Sequence, residues 1–279
     1  MTTPEQKYAR LQSIFRNLGE VVVAFSGGVD SSYLFSVAVD ELGDRALGAT
    51  ALSPTFAAVE ADDAREVATY LKARHELFDT DQLEIPGFVE NDGRRCYFCR
   101  VDMFTGIKEI ASSHGIRWVV DGTLVDDLGD VRPGLKARDE NGVRSPFVEV
   151  GLTKDEVRTL AHNRGLPNWD KPSESCLASR IPLGVPVSFD LLEKISRAEA
   201  VLHELGFRQV RVRHHGAIAR IEVDSDEISR LLDPDVRAPV TERIRQIGYA
   251  FVTVDLAGYR TGSLNIRSAT PVKVGGRTA

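Results

Sequence analysis

Apolar positions recur along this chain with two periods, about 3.6 and unbroken runs, and these mark out its elements. Tyr8, Leu11, Ile14, Phe15 and Leu18 fall at helical spacing with Gly19 as a stop, so residues 5–18 are expected to form a helix. The run Val21-Val22-Val23-Ala24-Phe25 reads as a strand buried on both faces. It ends in Ser26-Gly27-Gly28-Val29-Asp30-Ser31-Ser32, after which Leu34, Val37 and Ala38 carry a helix to about Leu42. The alternation continues with a strand over 46–52, a helix over 56–72 and a short strand near 76–78. A helix from Cys99 to Ser112 and a strand over 117–121 complete it. Strands alternating with helices predict an α/β fold, a Rossmann-like domain whose parallel sheet carries helices on both faces. Ser26, Ser53 and Gly122 then lie at carboxyl ends of strands, where such sheets bind ligands.

Residues 80–95 are polar and irregular, with Pro86 and Gly93. Residues 122–150 read as one long polar loop, of the kind that is usually functional or mobile. Thr153 and Glu156 form a capping box for a helix over 153–163. Pro167, Pro172, Pro182 and Pro186 exclude regular structure from the next segment, which is taken as a domain junction. The expected domains are residues 1–172 and 173–279. The second reads helix (190–205), strands (209–213 and 217–223, joined at His215-Gly216), polar helical segments (226–232 and 240–246) and a strand over 249–254. That is a smaller α+β domain, with a loose tail from Ser268.

Composition narrows the classes. Of the 279 residues 42% are apolar and 27% charged, as in an ordinary globular protein. A net charge of -6 argues against a wide nucleic-acid-binding face. No run reaches the roughly eighteen apolar residues of a membrane span. The N-terminal residues lack the apolar core of a signal peptide, so a cytoplasmic location is expected. Three cysteines, an odd count, favour redox, metal or sulfur chemistry over a disulfide framework.

The glycine-rich turn after the first strand points several N–H groups and a helix dipole at one spot, which suits phosphate. No Gly-Lys-Ser/Thr follows, so it is not a Walker loop, and it is not G-x-G-x-x-G. Ser26-Gly27-Gly28-Val29-Asp30-Ser31-Ser32 resembles the PP-loop of ATP pyrophosphatases, which split ATP into AMP and pyrophosphate. Backbone N–H groups of Gly27, Gly28 and Val29, with the hydroxyls of Ser26, Ser31 and Ser32, would surround the pyrophosphate. Asp30 suits Mg²⁺ bridging the phosphates, or a plain helix-start role. Cys96-Tyr97-Phe98-Cys99 is a CxxC, open to a redox pair or half of a zinc site. Cys176 lies in the proline-rich junction beside Ser175, Ser179 and Arg180. Three thiolates could also hold a [4Fe–4S] cluster with one iron open. Arg211 and Arg213 alternate with apolar residues and share a strand face, suited to a phosphate or carboxylate, or to pairing with structural carboxylates. His75, His114, His162 and His203 are assigned no role.

Over nearly the whole chain these residues resemble the LarE family. The resemblance rests on the PP-loop, Asp130-Val131-Arg132-Pro133-Gly134-Leu135-Lys136-Ala137-Arg138, Asn168-Trp169 and Cys176 with Ser179-Arg180. Arg211-Val212-Arg213, Ala219-Arg220-Ile221-Glu222 and Asp255-Leu256 with Gly258 extend it. LarE proteins are sulfur transferases that help make the nickel-pincer nucleotide. The resemblance implies that Mg²⁺ and ATP adenylate a carboxylate of pyridinium-3,5-biscarboxylic acid mononucleotide, and that sulfur then displaces AMP. It implies Cys176 as the sulfur-donating cysteine, Arg180, Arg211 and Arg213 near the substrate, and Glu199 and Glu222 around a metal or oligomer contact. An acid expected soon after Glu222 is not matched; Arg230 stands near that place. The CxxC with Cys176 resembles cluster-dependent members, in which a [4Fe–4S] cluster replaces sacrifice of the cysteine. A homo-oligomer, a hexamer, is also implied. Rival readings are a tRNA thiolase, an amidating synthetase of the same superfamily, and an ATP- or AMP-sensing regulator.

Overall fold

A computed structural model describes residues 3–56, 58–129, 133–172 and 175–260. The chain divides into two compact units, residues 1–176 with 183–189, and residues 177–182 with 190–279.

In the first unit, α1 (Pro4–Leu18) starts at a capping box between Thr3 and Gln6 and stops at Gly19, in a left-handed conformation at φ 77°. Then come β1 (Val21–Ala24), α2 (Val29–Leu42), β2 (Ala46–Leu52), α3 (Ala58–Tyr70), β3 (Arg74–Asp79), α4 (Pro86–Val89) and α5 (Arg95–Ser113). They are followed by β4 (Val119–Val120), α6 (Pro133–Glu140), α7 (Pro146–Val150) and α8 (Lys154–Asn163). The sheet is parallel throughout, in the order β3-β2-β1-β4. Val21 and Val23 pack into a core with α1 and α2, whereas Val22 joins Leu47, Phe104 and Ile107 on the other face. That alternation along β1 is why an all-apolar strand is needed: both faces are covered. The chain winds from β1 to β2 and β3 on one side, then returns to place β4 on the other. The reversal leaves a crevice at the carboxyl end of β1.

Two stretches differ from the sequence reading. Residues 80–95 hold a 3₁₀ turn at Gln82–Glu84 and α4, and α5 begins at Arg95, so Cys96 as well as Cys99 is helical. The supposed loop over 122–150 contains a 3₁₀ turn at Val125–Gly129, then α6 and α7. Proline placement explains both: Pro86, Pro133 and Pro146 each stand in a first helical turn, where the missing N–H costs nothing. The strand expected over 117–121 is only two residues long.

The second unit opens with a 3₁₀ turn at Leu177–Arg180. Then follow α9 (Phe189–Glu204), β5 (Val210–His215), β6 (Ile218–Val223), α10 (Ile228–Leu232), α11 (Pro234–Gln246) and β7 (Phe251–Val254). β5 and β6 form the expected hairpin, turning at Gly216 with φ 63°. β7 adds to β6 in parallel. Ala198, Val201 and Leu202 of α9 pack on Val210, Val212, Ala219 and Ile221 of the sheet. The tail from Ser268 lies outside the described residues. Among the described residues no helix is long and apolar enough to cross a membrane.

Candidate active site

The turn at the end of β1 is built by its own small side chains. The Ser26 N–H donates to Ser31 Oγ at 3.2 Å, and Ser31 Oγ donates to the Gly28 carbonyl at 3.1 Å. The Gly28 N–H makes a long 3.4 Å bond to Ser26 Oγ. Gly27 has φ 75°, and a Cβ there would lie 2.8 Å from the backbone nitrogen of Ala64 on α3. Only glycine fits both constraints. Gly28 is the N-cap of α2 and supplies no side-chain bond to the first-turn N–H groups. Those donors and the helix dipole face the crevice, the arrangement an anion requires. At the end of β4, a Cβ on Gly122 would come within 3.2 Å of the Ser31 nitrogen, so glycine lets this strand end lie against the start of α2. The structure thus gathers Ser26, Gly27, Gly28, Val29, Asp30, Ser31, Ser32 and Gly122.

Ser53 stands one strand away, at the end of β2. Its hydroxyl bonds Thr55 Oγ1 at 2.8 Å and donates to Gln82 Oε1. A cleft of about 420 Å³ lies beside it, lined by Leu52, Ser53, Pro54, Asp79, Thr80 and Asp81. That is room for a nucleoside. Buried Gln82 also donates to Thr80 Oγ1 at 2.9 Å and to Asp102 Oδ2 at 2.8 Å, tying the rim of this cleft to α5.

Asp30 Oδ2 pairs with Lys154 Nζ at 3.1 Å, while Asp30 Oδ1 is buried and accepts no hydrogen bond among the described residues. An uncommitted carboxylate oxygen beside a phosphate-binding turn fits Mg²⁺, a hard cation that takes oxygen ligands. Lys154 sits at the start of α8, fixed there by the Thr153–Glu156 capping box and by its own N–H, which donates to Asp126 Oδ2 at 2.9 Å.

The three cysteines belong to the same unit. Cys96 is exposed, Cys99 buried and Cys176 intermediate. Burial pushes the Cys99 thiol far above its ordinary range, and the sulfurs of Cys176 and Cys96 push it the same way. Among the described residues, no three His, Cys, Asp or Glu side chains are gathered closely enough to hold a metal ion. Three cysteines are the donor type that an iron–sulfur cluster takes, so the set fits such a cluster in its chemistry but not in its present spacing. Ligation requires the sulfurs to draw closer.

Arg180, Arg211 and Arg213 lie together in the second unit, all buried. Arg180 forks onto Glu199, with both bonds at 2.9 Å, and Glu199 Oε1 also accepts the Val212 N–H at 2.8 Å. Arg213 donates to Glu222 Oε2 at 3.0 and 2.8 Å and to the Ser179 carbonyl at 3.1 Å. Arg220 reaches Glu222 at 3.2 Å. The Arg211 guanidinium lies 5.2 Å over the Tyr259 ring, and Nη1 donates to the Val210 carbonyl. Burial lowers the Arg211 pKa, Arg180 lowers it further, and Glu199 offsets part of this. Glu199 thus pairs with Arg180, and Glu222 with both Arg213 and Arg220.

No family model matches the chain. An uncharacterised protein of Synechocystis is 38% identical over 261 residues, 94% of this chain and 97% of the relative. The pyridinium-3,5-bisthiocarboxylic acid mononucleotide synthase of Lactiplantibacillus plantarum is 36% identical over 266 residues, 95% of this chain and 96% of that enzyme. This chain belongs to the LarE family. It is an ATP-dependent PP-loop enzyme, and the likeness runs through both units. A more distant match, to part of the glutamine-hydrolyzing GMP synthase of Archaeoglobus fulgidus, is 27% identical over 165 residues, or 53% of this chain.

Several side chains around the LarE-type turn carry no signal of their own in the sequence. Lys154 reads as a helix-start residue inside a capping box, and Gln82 as a polar loop residue. Asn168 appears only as part of a family motif. It stands five residues beyond α8, between Pro167 and Trp169, with no local period to mark it.

Proposed function

We propose that this chain inserts sulfur into pyridinium-3,5-biscarboxylic acid mononucleotide. The reading is supported above all by the end-to-end likeness to the L. plantarum synthase, combined with three free thiols in the unit that carries the PP-loop. An amidating enzyme or a nucleotide sensor has no use for those thiols.

In the first unit, ATP lies with its phosphates on the Ser26–Ser32 turn and its nucleoside toward Ser53. Asp30 Oδ1 would hold Mg²⁺, which when bound would neutralise phosphate charge. A substrate carboxylate oxygen attacks the α-phosphorus, the α–β bridge breaks, and pyrophosphate is held by the N–H groups of Gly27, Gly28 and Val29. The acyl-adenylate has a good leaving group, AMP, where the carboxylate had none. A sulfur nucleophile then forms the carbon–sulfur bond and AMP departs with the electron pair. In the second unit, Arg211 and Arg213 bind the mononucleotide phosphate, with Arg180 beside them. An anion there relieves the repulsion that the three guanidiniums exert on one another.

Cys96, Cys99 and Cys176 would hold a [4Fe–4S] cluster, which when bound supplies sulfide for transfer. Cys176 itself is the other sulfur source. Intact-mass measurement after turnover separates them: an unchanged protein yielding several products per chain supports the cluster, and loss of H₂S from the protein identifies Cys176 as donor. The reading as a whole is tested by pyrophosphate release. Release that begins on adding the dicarboxylate mononucleotide to protein and Mg·ATP is the expected result. No release with that acceptor would overturn it. The cytoplasmic setting and the homo-oligomer, a hexamer, belong to the same proposal.

A further inference from the structure

Asn168 is a buried side chain that reaches the PP-loop from outside it with both of its protons. Its Nδ2 donates to the Gly27 carbonyl at 2.8 Å and to Ser32 Oγ at 2.8 Å. It is 9% exposed, and its Oδ1 accepts no hydrogen bond among the described residues. Its backbone is held independently of the loop: the Trp169 N–H donates to the Leu166 carbonyl at 3.2 Å, and the Lys171 N–H to the Asn168 carbonyl at 3.0 Å. Buried Leu166 anchors that turn in the core.

The two bonds have a geometric consequence. In a trans peptide the C=O and N–H point in opposite directions. Drawing the Gly27 carbonyl toward Asn168 therefore turns the Gly28 N–H the opposite way. Gly27, at φ 75°, gives this peptide no Cβ to fix it, and the long 3.4 Å bond from the Gly28 N–H to Ser26 Oγ restrains its other side weakly. A rotated plane would present a carbonyl oxygen in place of the N–H. We infer that Asn168 is a positioning residue that locks the Gly27–Gly28 peptide with its N–H donor toward pyrophosphate. Neutrality matters as much as shape. An amide gives two protons without adding negative charge beside the phosphates, which a carboxylate at the same place would do.

This inference rests on the PP-loop reading of the site, and the test separates the two. Binding of inorganic pyrophosphate and of Mg·ATP is measured by calorimetry on the full chain and on Asn168→Ala and Asn168→Asp, with thermal denaturation alongside. Loss of one donor to an anion is expected to weaken pyrophosphate binding by about 10- to 100-fold in Asn168→Ala. Asn168→Asp is expected to bind worse still at neutral pH and to recover as pH falls, because a protonated carboxyl can again donate to the Gly27 carbonyl. Asn168→Ala measured at each pH removes the titration shared with pyrophosphate, with the Asp30–Lys154 pair and with the ion pair that Lys171, three residues on, makes with Asp63. A purely structural role would move melting temperature without this pH-dependent difference between the variants. Should Asn168→Ala not fold, the isosteric Asn168→Asp compared with the parent at low and neutral pH carries the test. Binding within twofold of the parent, or an Asn168→Asp profile without recovery at low pH, would overturn the lock alone. A parent chain that binds neither pyrophosphate nor ATP would overturn the PP-loop reading with it.

Discussion

Gly27 and Gly28 are neighbours of the same residue type, yet they are predicted to respond oppositely to alanine. Gly27 has φ 75°, and its added Cβ would stand 2.8 Å from the Ala64 nitrogen and 3.0 Å from the Ala64 Cα. Both are backbone atoms of α3, so nothing flexible can move aside. The left-handed conformation costs an L-residue about 1–2 kcal/mol. Displacing packed backbone costs about another 1–3 kcal/mol. Gly27→Ala is therefore expected to lose roughly 2–5 kcal/mol, a drop of about 4–20 °C in melting temperature for a unit of this size. Gly28 sits at φ -75°, ψ 159°, open to any residue, and its Cβ would meet only Ser26 Oγ at 3.4 Å. Gly28→Ala is expected to stay within about 1 kcal/mol of the parent. Its methyl group would nonetheless stand at the N-cap of α2, where phosphate approaches, and ATP binding is expected to weaken at least about tenfold. Paired thermal denaturation and ATP titration test this. A Gly27→Ala protein melting within about 2 °C of the parent would refute the steric reasoning. A Gly28→Ala protein that binds ATP as the parent does would refute the placement of phosphate.

Further outcomes follow from the buried charges and thiols. Glu199→Ala leaves Arg180 buried without its fork and the Val212 N–H without an acceptor. It is expected to destabilise the second unit by about 3–5 kcal/mol in urea denaturation, with Glu199→Gln intermediate; equal midpoints for all three proteins would contradict this. Alkylation of the metal-free native chain, mapped by mass spectrometry, is expected to label exposed Cys96 well before buried Cys99, whose thiol is held protonated. Equal labelling rates would count against the burial assigned to Cys99. His75 is half-buried and its pKa lies below the ordinary 6.5, chiefly through burial and then through Arg65. Between those two values the unfolded chain binds the extra proton, so the stability present above 6.5 is lost as pH falls through that window. Melting temperature followed downward from neutral pH should fall less steeply in His75→Gln than in the parent, and identical slopes would remove His75 from the account.

Strand β1, the turn after it and the parallel sheet were legible because an unbroken apolar run followed by Ser-Gly-Gly allows few structures. The helical segments inside 80–95 and 122–150 were not, because Pro86, Pro133 and Pro146 break a helix internally but start one when placed first. The face shared by Arg211 and Arg213 was readable from strand alternation. Their burial was not, because Glu199 and Glu222 come from a helix and a neighbouring strand that meet them only in three dimensions. The same limit hid Asn168 and Lys154. A hydrogen bond across more than a hundred residues leaves no local period in the sequence.

The most direct test of sulfur insertion is the mass of the mononucleotide itself. Anaerobically purified protein, Mg·ATP and pyridinium-3,5-biscarboxylic acid mononucleotide are incubated together, and nucleotide and pyrophosphate are measured in the same sample. The account predicts a product in which sulfur has replaced a carboxylate oxygen, with one pyrophosphate and one AMP formed for each replacement. Pyrophosphate release with an unchanged mononucleotide, or with nitrogen in place of sulfur, would contradict it.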